Sequence, residues 1–579
     1  MEENPLTDRQ TGYPSVDRPW NSFYSNRQIR NIETKRTVYD CLFGLNKDHM
    51  DMPAIGYMGR NYTYCELKDS VDRTACAFKK WGLKTGEVVL IGMPLCPEVA
   101  FFALAINKIG CVSRWFDLRC SSAEIKAYAN ESNCRIVVIA GMVIHAINEI
   151  IDKTDIDQVI ISEPTDSLSI IARSAYRLKV AFNSPKDQRY IRYKSFLRKY
   201  SGSFDDDESS IYVHNKPAIL LQSSGTTGKP KIIVHTDFSV NSMINSIANT
   251  ELPTGYGKCL FTVIPPWVAY GLIGGLLEPM ALGTKIELFP TLDPDSLIKN
   301  IGKFTAACVV PIHLRYLYEH YTELNNDQKN ALTRVDCIIS GGDKISPEEH
   351  KAFHEKFGTK VLNGYGSSEC LGTITTHPIS RIKYGSVGIP KYGDIITAFD
   401  IDSGMECKYN EVGELCVVTD TAFWGYQNNE GATNEIKKEH DGYVWIHTGD
   451  LCSIDKDGFV TLWGRCRRVI TRAGFKISAY LIEQKISENS FVKECCVVEV
   501  EDKLEEHVPF AWVVLNNITD SGDFVIKQIY KNCSVGLKKH EVPKYIEIIS
   551  ELPYTPNRKY DISLLEKKAN EYVRARNIQ

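Results

Sequence analysis

Residues 218–235 read Ala-Ile-Leu-Leu-Gln-Ser-Ser-Gly-Thr-Thr-Gly-Lys-Pro-Lys-Ile-Ile-Val-His. An apolar run enters a loop dense in Ser, Thr, Gly and Lys, and a β-branched run leaves it. Gly225 and Gly228 let backbone N–H groups converge on an anion. Ser223, Ser224, Thr226 and Thr227 add hydroxyl donors, and Lys229 and Lys231 add positive charge. The plainer reading is a flexible surface turn. Four hydroxyls, two glycines and two lysines in nine positions, directly after a buried strand, favour a polyphosphate cradle instead. A Walker A loop needs four residues between its glycines and a Ser or Thr after its lysine. Here two residues separate Gly225 from Gly228, and Pro230 stands where the magnesium-binding hydroxyl would be. A kinase-type glycine loop also fails, because no His-Arg-Asp or Asp-Phe-Gly follows.

Working outward, helical and strand-like stretches alternate on both sides. From about Tyr64 to Ile160, Val88-Val89-Leu90-Ile91 precedes a helical stretch from Glu98 to Ile109, and Arg135-Ile136-Val137-Val138-Ile139 follows. That rhythm predicts a parallel sheet layered with helices. A polar, acidic break at residues 201–210 reads as a solvated loop, and a second α/β rhythm runs from Ala218 to about Thr375. Residues 385–463 are rich in glycine and strand formers, with turn signals at Asp441-Gly442 and Asp457-Gly458, and predict antiparallel β-structure. From Gly464 two strand-like runs, 495–500 and 510–515, mix with helical segments. The expected fold is α/β. A large N-terminal domain, residues 1–463, holds two layered α/β subdomains and a β-rich subdomain, and a small α+β domain occupies residues 464–579.

At 579 residues the chain has room for three or four units of about 150 residues. A net charge of −4 argues against a nucleic-acid partner, which would demand a basic stripe. The longest apolar region, Val88 to Val112, is broken by Pro94, Pro97, Glu98, Asn107 and Lys108. It predicts a buried strand and helix and no membrane span. The N-terminus has no apolar core of a secretory signal. Eighteen scattered cysteines without a C-x-x-C spacing read as reduced thiols of a cytoplasmic enzyme. His350 and His354 are spaced i, i+4, but no Glu follows His350, so a solvated helix face is expected there rather than a metal pair.

The loop Ser224-Gly225-Thr226-Thr227-Gly228-Lys229-Pro230-Lys231 resembles the signature of the adenylate-forming superfamily, which includes acyl-CoA synthetases, peptide-synthetase adenylation domains and luciferase. Four further motifs follow in order. Asn363-Gly364-Tyr365-Gly366-Ser367-Ser368-Glu369 resembles the adenine and magnesium motif, and His447-Thr448-Gly449-Asp450 the ribose motif. Gly464-Arg465 leading to Gly474-Phe475-Lys476-Ile477 resembles the hinge segment, and residues 552–559, ending at Lys559, the C-terminal lysine motif. The resemblance implies ATP and Mg2+ as cofactors and a mobile C-terminal domain turning near residues 465–468. Tyr365 would face adenine and Asn363 its edge. Ser368 would touch phosphate, Glu369 would ligate magnesium, Asp450 would accept the ribose hydroxyls, and Arg465 would add a positive fork. Lys559 would stabilise charge on the α-phosphate as the substrate carboxylate attacks it. The chain departs from the family pattern at Ser368, where Thr is usual, at Arg558, where Gly is usual, and at Arg467-Arg468 in the hinge.

For the acid, Ile264-Pro265-Pro266-Trp267-Val268-Ala269-Tyr270-Gly271 contains no carboxylate to pair with an α-ammonium, and burying an ammonium beside Trp267 and Val268 unpaired would be costly. The expected substrate is therefore an apolar carboxylic acid without an α-amino group. Its walls are expected from Trp267, Val268, Tyr270, Gly271, Gly341, Gly342, Gly364 and Leu371. For Gly341 and Gly342 ordinary turn chemistry is an equal reading. No carrier domain follows Lys559 within the chain, so the acyl group is expected to pass to coenzyme A, with Gly474 beside the pantetheine. Loading of a separate carrier protein, or a weakly active family member with a binding role, stays open.

Overall fold

The computed structural model describes residues 11–25, 28–168, 186–203, 209–223, 231–291, 293–473, 475–502, 505–516, 522–554 and 560–576, with the backbone alone at Arg467 and Lys476. Among these residues four sheets form. The first has eight strands in the spatial order Gly425–Tyr426, Ile232–Thr236, Pro217–Gln222, Val112–Trp115, Val88–Gly92, Ile136–Ile139, Gln158–Ile161 and Tyr190–Arg192. The second has nine, ordered Ile389–Pro390, Thr375–Thr376, Val361–Tyr365, Cys337–Ser340, Ala306–Val309, Cys259–Thr262, Lys285–Leu288, Pro53–Tyr57 and Arg60–Thr63. Their central strands are parallel and almost wholly buried, as strands covered by helices on both faces must be. The main core lies between these two sheets, where helices such as Pro97–Lys108 and Asp237–Ala248 fill the layer.

The linear rhythm and the spatial layers differ in two places. Pro217–Gln222 opens the second rhythm in sequence, yet it pairs in parallel with Val112–Trp115 in the first sheet, Ser113 opposite Ile219. Pro53–Tyr57 precedes the first rhythm, yet it pairs with Lys285–Leu288 in the second sheet. Strand partners are chosen by burial of both faces, and local pattern does not report them.

An antiparallel sheet of Ile395–Phe399, Gly413–Val418, Tyr443–Ile454, Lys437–His440 and Val460–Arg465 follows. After Arg465 the chain enters the last sheet, Phe475–Ser478, Val469–Arg472, Glu506–Leu515, Val492–Asp502 and Tyr545–Ile548. The runs at 495–500 and 510–515 are the two arms of one hairpin, Cys495 opposite Val513 and Val500 opposite Val508. The apolar stretch at 88–112 is the strand Val88–Gly92 and the helix Pro97–Lys108, and no helix among the described residues is long and apolar enough to cross a membrane. The eighteen cysteines are all unbonded to one another.

One expectation is overturned. His350 is not on a solvated face: it is 1% exposed and its Nε2–H donates to the Val361 carbonyl at 2.7 Å. Burial lowers its pKa, so the neutral ring serves as a core residue tying the helix Pro347–Phe357 to the strand Val361–Tyr365.

Candidate active site

The Ser/Thr/Gly/Lys loop joins two antiparallel strands, Pro217–Gln222 and Ile232–Thr236. Gln222 faces Ile232 across the ladder, and one step further Ser223 N–H donates to the Lys231 carbonyl at 2.9 Å while Lys231 N–H donates to Ser223 Oγ at 3.1 Å. Ser223 and Lys231 thereby fix both ends of the loop. Ser224, Gly225, Thr226, Thr227, Gly228 and Lys229 lie outside the described residues, as do Gly474 and Lys559. Beside the loop, the Lys231 ammonium sits 4.8 Å over the Tyr426 ring, and the Tyr426 hydroxyl donates to Glu369 Oε1 at 2.8 Å. Phe423 N–H donates to the Glu369 carbonyl, and the neighbouring Trp424 N–H to Val234. Two motifs 138 positions apart are thus joined by a tyrosine that neither contains. A third tie is His235, whose Nε2–H donates to the Ser368 carbonyl at 2.8 Å; burial lowers its pKa to about 4, which keeps the ring neutral.

The turn that carries Glu369 is held by close backbone approach. A Cβ on Gly366 would sit 1.6 Å from the Gly372 carbonyl oxygen. Leu371, 1% exposed, holds φ at 58°, a left-handed conformation costly for a side chain of this size.

At the ribose motif Asp450 lies across from Arg465 on paired strands. Arg465 Nε is 2.9 Å from Asp450 Oδ1, and the Tyr365 hydroxyl donates to Oδ2 at 2.5 Å. Burial and the adjacent carboxylate raise the Tyr365 pKa well above the ordinary phenol value, so the hydroxyl stays a donor. Behind the motif, Glu414 accepts from His447 Nδ1 at 2.7 Å and from Gly449 N–H at 3.0 Å. Burial acts to raise the Glu414 pKa, but the bonds and charge of His447 outweigh it and leave the carboxylate below its ordinary value. Cys416 lies within reach of the pair, yet burial first and Glu414 second hold its thiol protonated. With both Glu414 oxygens committed, Glu414 and His447 hold the loop Thr448-Gly449-Asp450 in place.

Between these motifs, three strand ends present buried polar atoms with no hydrogen-bond partner among the described residues: Ser340 Oγ, Asn363 Oδ1 and Thr376 Oγ1. Ser340 is the register partner of Asn363, and Thr376 that of Gly364. Asn363 spends its amide on the Ser386 carbonyl and its own carbonyl on His377. Buried polar atoms are rarely left unpaired. Ser340 Oγ and Asn363 Oδ1 share one face, where a nitrogen-rich planar ring would satisfy both, while Thr376, opposite Gly364, points to the other face.

The expected acid-site residues gather beside it. Trp267 and Tyr270 are half-buried against the core that contains Leu371, and Val268 is half-exposed. The Tyr270 hydroxyl donates to Ile339 at 3.3 Å. Several glycines here serve backbone contacts. A Cβ on Gly271 would lie 2.0 Å from the Pro265 carbonyl oxygen, on Gly364 3.1 Å from that of Thr375, and on Gly341 3.4 Å from that of Gly364. Gly342 has φ +85°.

Two family models match the chain: AMP-binding enzyme over residues 45–427, and AMP-binding enzyme C-terminal domain over residues 481–559. The chain belongs to the AMP-binding enzyme family. Similar relatives include 4-coumarate–CoA ligase 3 of Oryza sativa subsp. japonica, 24% identical over 89% of this chain and 90% of the relative, and the long-chain-fatty-acid–CoA ligase of Salmonella typhimurium, 26% identical over 87% and 90%. The fold matches that of the anthranilate CoA ligase AuaEII in complex with anthranoyl-AMP, with TM-score 0.76 at 18% identity over 93% and 98% of the two chains. It also matches ATP-bound MatB from Rhodopseudomonas palustris, with TM-score 0.75 at 21% identity over 92% and 98%. For this AMP-binding enzyme, sequence reasoning passed over Tyr426, Glu414 and His235. Each acts by a contact made across the fold, and Gly413-Glu414-Leu415 and Gly425-Tyr426 carry no local charge or spacing pattern that marks them.

Proposed function

We propose that this AMP-binding enzyme is an ATP-dependent acid–thiol ligase. A carboxylate oxygen attacks the α-phosphorus of ATP and pyrophosphate leaves, giving an acyl-adenylate. A thiol then attacks the acyl carbon, losing its proton and expelling AMP. The observation that supports this reading best is the pair of polar atoms on one sheet face, Ser340 Oγ and Asn363 Oδ1, unpartnered among the described residues, in a sheet whose neighbouring motifs carry Asp450 with Arg465 and Glu369 with Lys231. That set offers separate partners for a base, a ribose and a polyphosphate.

The roles follow from the donor sets. Asp450, held by Tyr365 and Arg465, retains lone pairs for two ribose hydroxyls. Lys231 and the loop 223–231 receive the phosphates. Magnesium would be held by the Glu369 oxygen that Tyr426 leaves free, a hard donor suited to it, and would supply neutralisation of the phosphate charge. Lys559 adds the charge that stabilises the five-coordinate phosphorus. The segment from 464 to 579, turning near 465–468, presents Lys559 for the first step and Gly474 beside the pantetheine for the second. The acid lacks an α-amino group, since the stretch Ile264 to Gly271 offers no carboxylate to pair with one. Acid-dependent pyrophosphate release, measured with and without coenzyme A, tests the reading. Release followed by thioester formation with coenzyme A alone supports it, and adenylate that reacts only with a carrier protein would redirect the second step. No release with any acid would overturn it.

A further inference from the structure

The run from Trp267 to Gly283 contains one charged residue, Glu278. It opens the helix Glu278–Ala281, which continues directly from the π-helix Tyr270–Leu277. Glu278 is 6% exposed, and no described residue gives it a hydrogen bond or an ion pair; burial alone acts on it, raising its pKa well above the carboxylate range. The other buried acids all have partners. Glu98 accepts from Ser167, Asp237 from Asn107 and Val38 N–H, and Asp450 from Tyr365, while Glu287 is paired with Lys285 and Asp394 with Lys391. A buried carboxyl without a partner is expensive even when neutral.

Its place explains what could satisfy it. In helices of α or π pitch, positions four apart fall on nearly one stripe, so Tyr270, Gly274 and Glu278 share a face. A Cβ on Gly274 would meet only the Tyr270 ring, at 3.5 Å, so no side chain crowds the middle of this face. Gly372 closes the near end, its Cβ position 3.0 Å from Tyr270 N. Cys308 of the strand Ala306–Val309 hydrogen-bonds Tyr270, and Glu278 lies near enough to act electrostatically on both. The stripe therefore runs from the expected acid site at Trp267, Tyr270 and Leu371 inward to one unpaired carboxyl.

We propose that Glu278 ends the acyl pocket and selects acids whose tail carries a hydrogen-bond donor, a hydroxyl or an amine, at the end remote from the reacting carboxylate; this rests on the acid-ligase reading above. A methyl-ended chain of the same length leaves the carboxyl desolvated and unpaired, whereas a terminal donor pairs it. An α-amino group, held at the mouth beside Val268, cannot reach it.

The test is calorimetric binding of straight-chain acids of graded length, each plain, ω-hydroxylated and ω-aminated, with a non-hydrolysable ATP analogue present. Pyrophosphate release is measured in parallel. At the best length the wild type should prefer a donor-ended acid over the plain one by about tenfold or more, and Glu278→Leu should reverse the order. Glu278→Gln, which keeps the shape, controls for folding. If the wild type favours the aminated acid most and Glu278→Gln abolishes that preference, the partner is an ammonium; if it favours the hydroxylated acid most and Glu278→Gln keeps that preference, the partner is a hydroxyl. Equal binding of plain and donor-ended acids at every length, or a preference that Glu278→Leu leaves unchanged, overturns the proposal. Preference without any pyrophosphate release overturns the ligase reading and leaves Glu278's role standing; release without preference does the reverse. Acids that neither bind nor release pyrophosphate overturn both.

Discussion

Asp450 shows how one carboxylate is prepared by its neighbours. Tyr365 and Arg465 each hold one of its oxygens, so it is oriented before any ligand arrives. Replacing it by Ala should weaken ATP binding about a hundredfold or more, since two charge-assisted bonds of roughly 1.5–3 kcal/mol each are lost. Acid binding should change little. Calorimetry with an ATP analogue checks this, with Asp450→Asn as the shape-preserving control; unchanged ATP affinity would remove Asp450 from the ribose site. A different residue governs a pH effect. Glu98 is buried in the helix Pro97–Lys108, and desolvation raises its pKa from 4.5 to about 7 despite the Ser167 hydrogen bond. The folded state holds that proton more tightly than the unfolded chain does. The associated stability is fully present below about pH 4.5 and is lost as pH rises through 7, a change on the order of 3 kcal/mol. Glu98→Gln should therefore match the parent near pH 4.5 and exceed it at pH 8 in denaturant melts; a parallel pH dependence in both proteins would refute the assignment.

At the scale of the element, the turn after the strand Val361–Tyr365 depends on two chain segments nearly touching. Gly366→Ala would force its Cβ against the Gly372 carbonyl, and backbone cannot swing aside as a side chain can. A loss of about 1–3 kcal/mol is expected. Pyrophosphate release should fall further than stability does, because Glu369 and its Tyr426 bond move with the turn. Gly431→Ala is the contrast. It lies in the helix Glu430–Ile436 with nothing within 4 Å of its Cβ and should be neutral or stabilising by about 0.5–1 kcal/mol. Equal melting midpoints for the two variants would remove the close-contact argument. Such elements were partly legible. The motif Asn363 to Glu369 and the strand before it stand out in sequence, because glycine, hydroxyl and acid fall together. The reason each glycine is required did not, since Gly372 and Gly366 meet only when the loop closes.

For the whole molecule, the segment after Arg465 meets the part before it at several described groups, one of them a lysine. Lys344, on the loop after the strand Cys337–Ser340, lies 3.2 Å from the Tyr480 ring centroid, and burial there lowers its pKa to about 8. A contact of that kind can break if the segment turns between half-reactions, as proposed. Lys559→Ala should then slow acid-dependent pyrophosphate release by roughly a hundredfold or more, on the order of 3 kcal/mol. Thioester formation from synthetic acyl-adenylate and coenzyme A should stay near the parent rate, and equal loss of both steps would sink the rotation model. The residues by themselves determined the α/β class, the ordered nucleotide motifs and the absence of an acid from Ile264 to Gly271, because periodicity, loop chemistry and charge are local properties. Only the tertiary structure decided that the phosphate hairpin joins the first sheet while Pro53–Tyr57 crosses to the second. It alone buried His350, joined Lys231 to Glu369 through Tyr426, and left Glu278 without a partner among the described residues. Burial and partnership are set by segments far apart in the chain, and no local pattern encodes what will be packed against it.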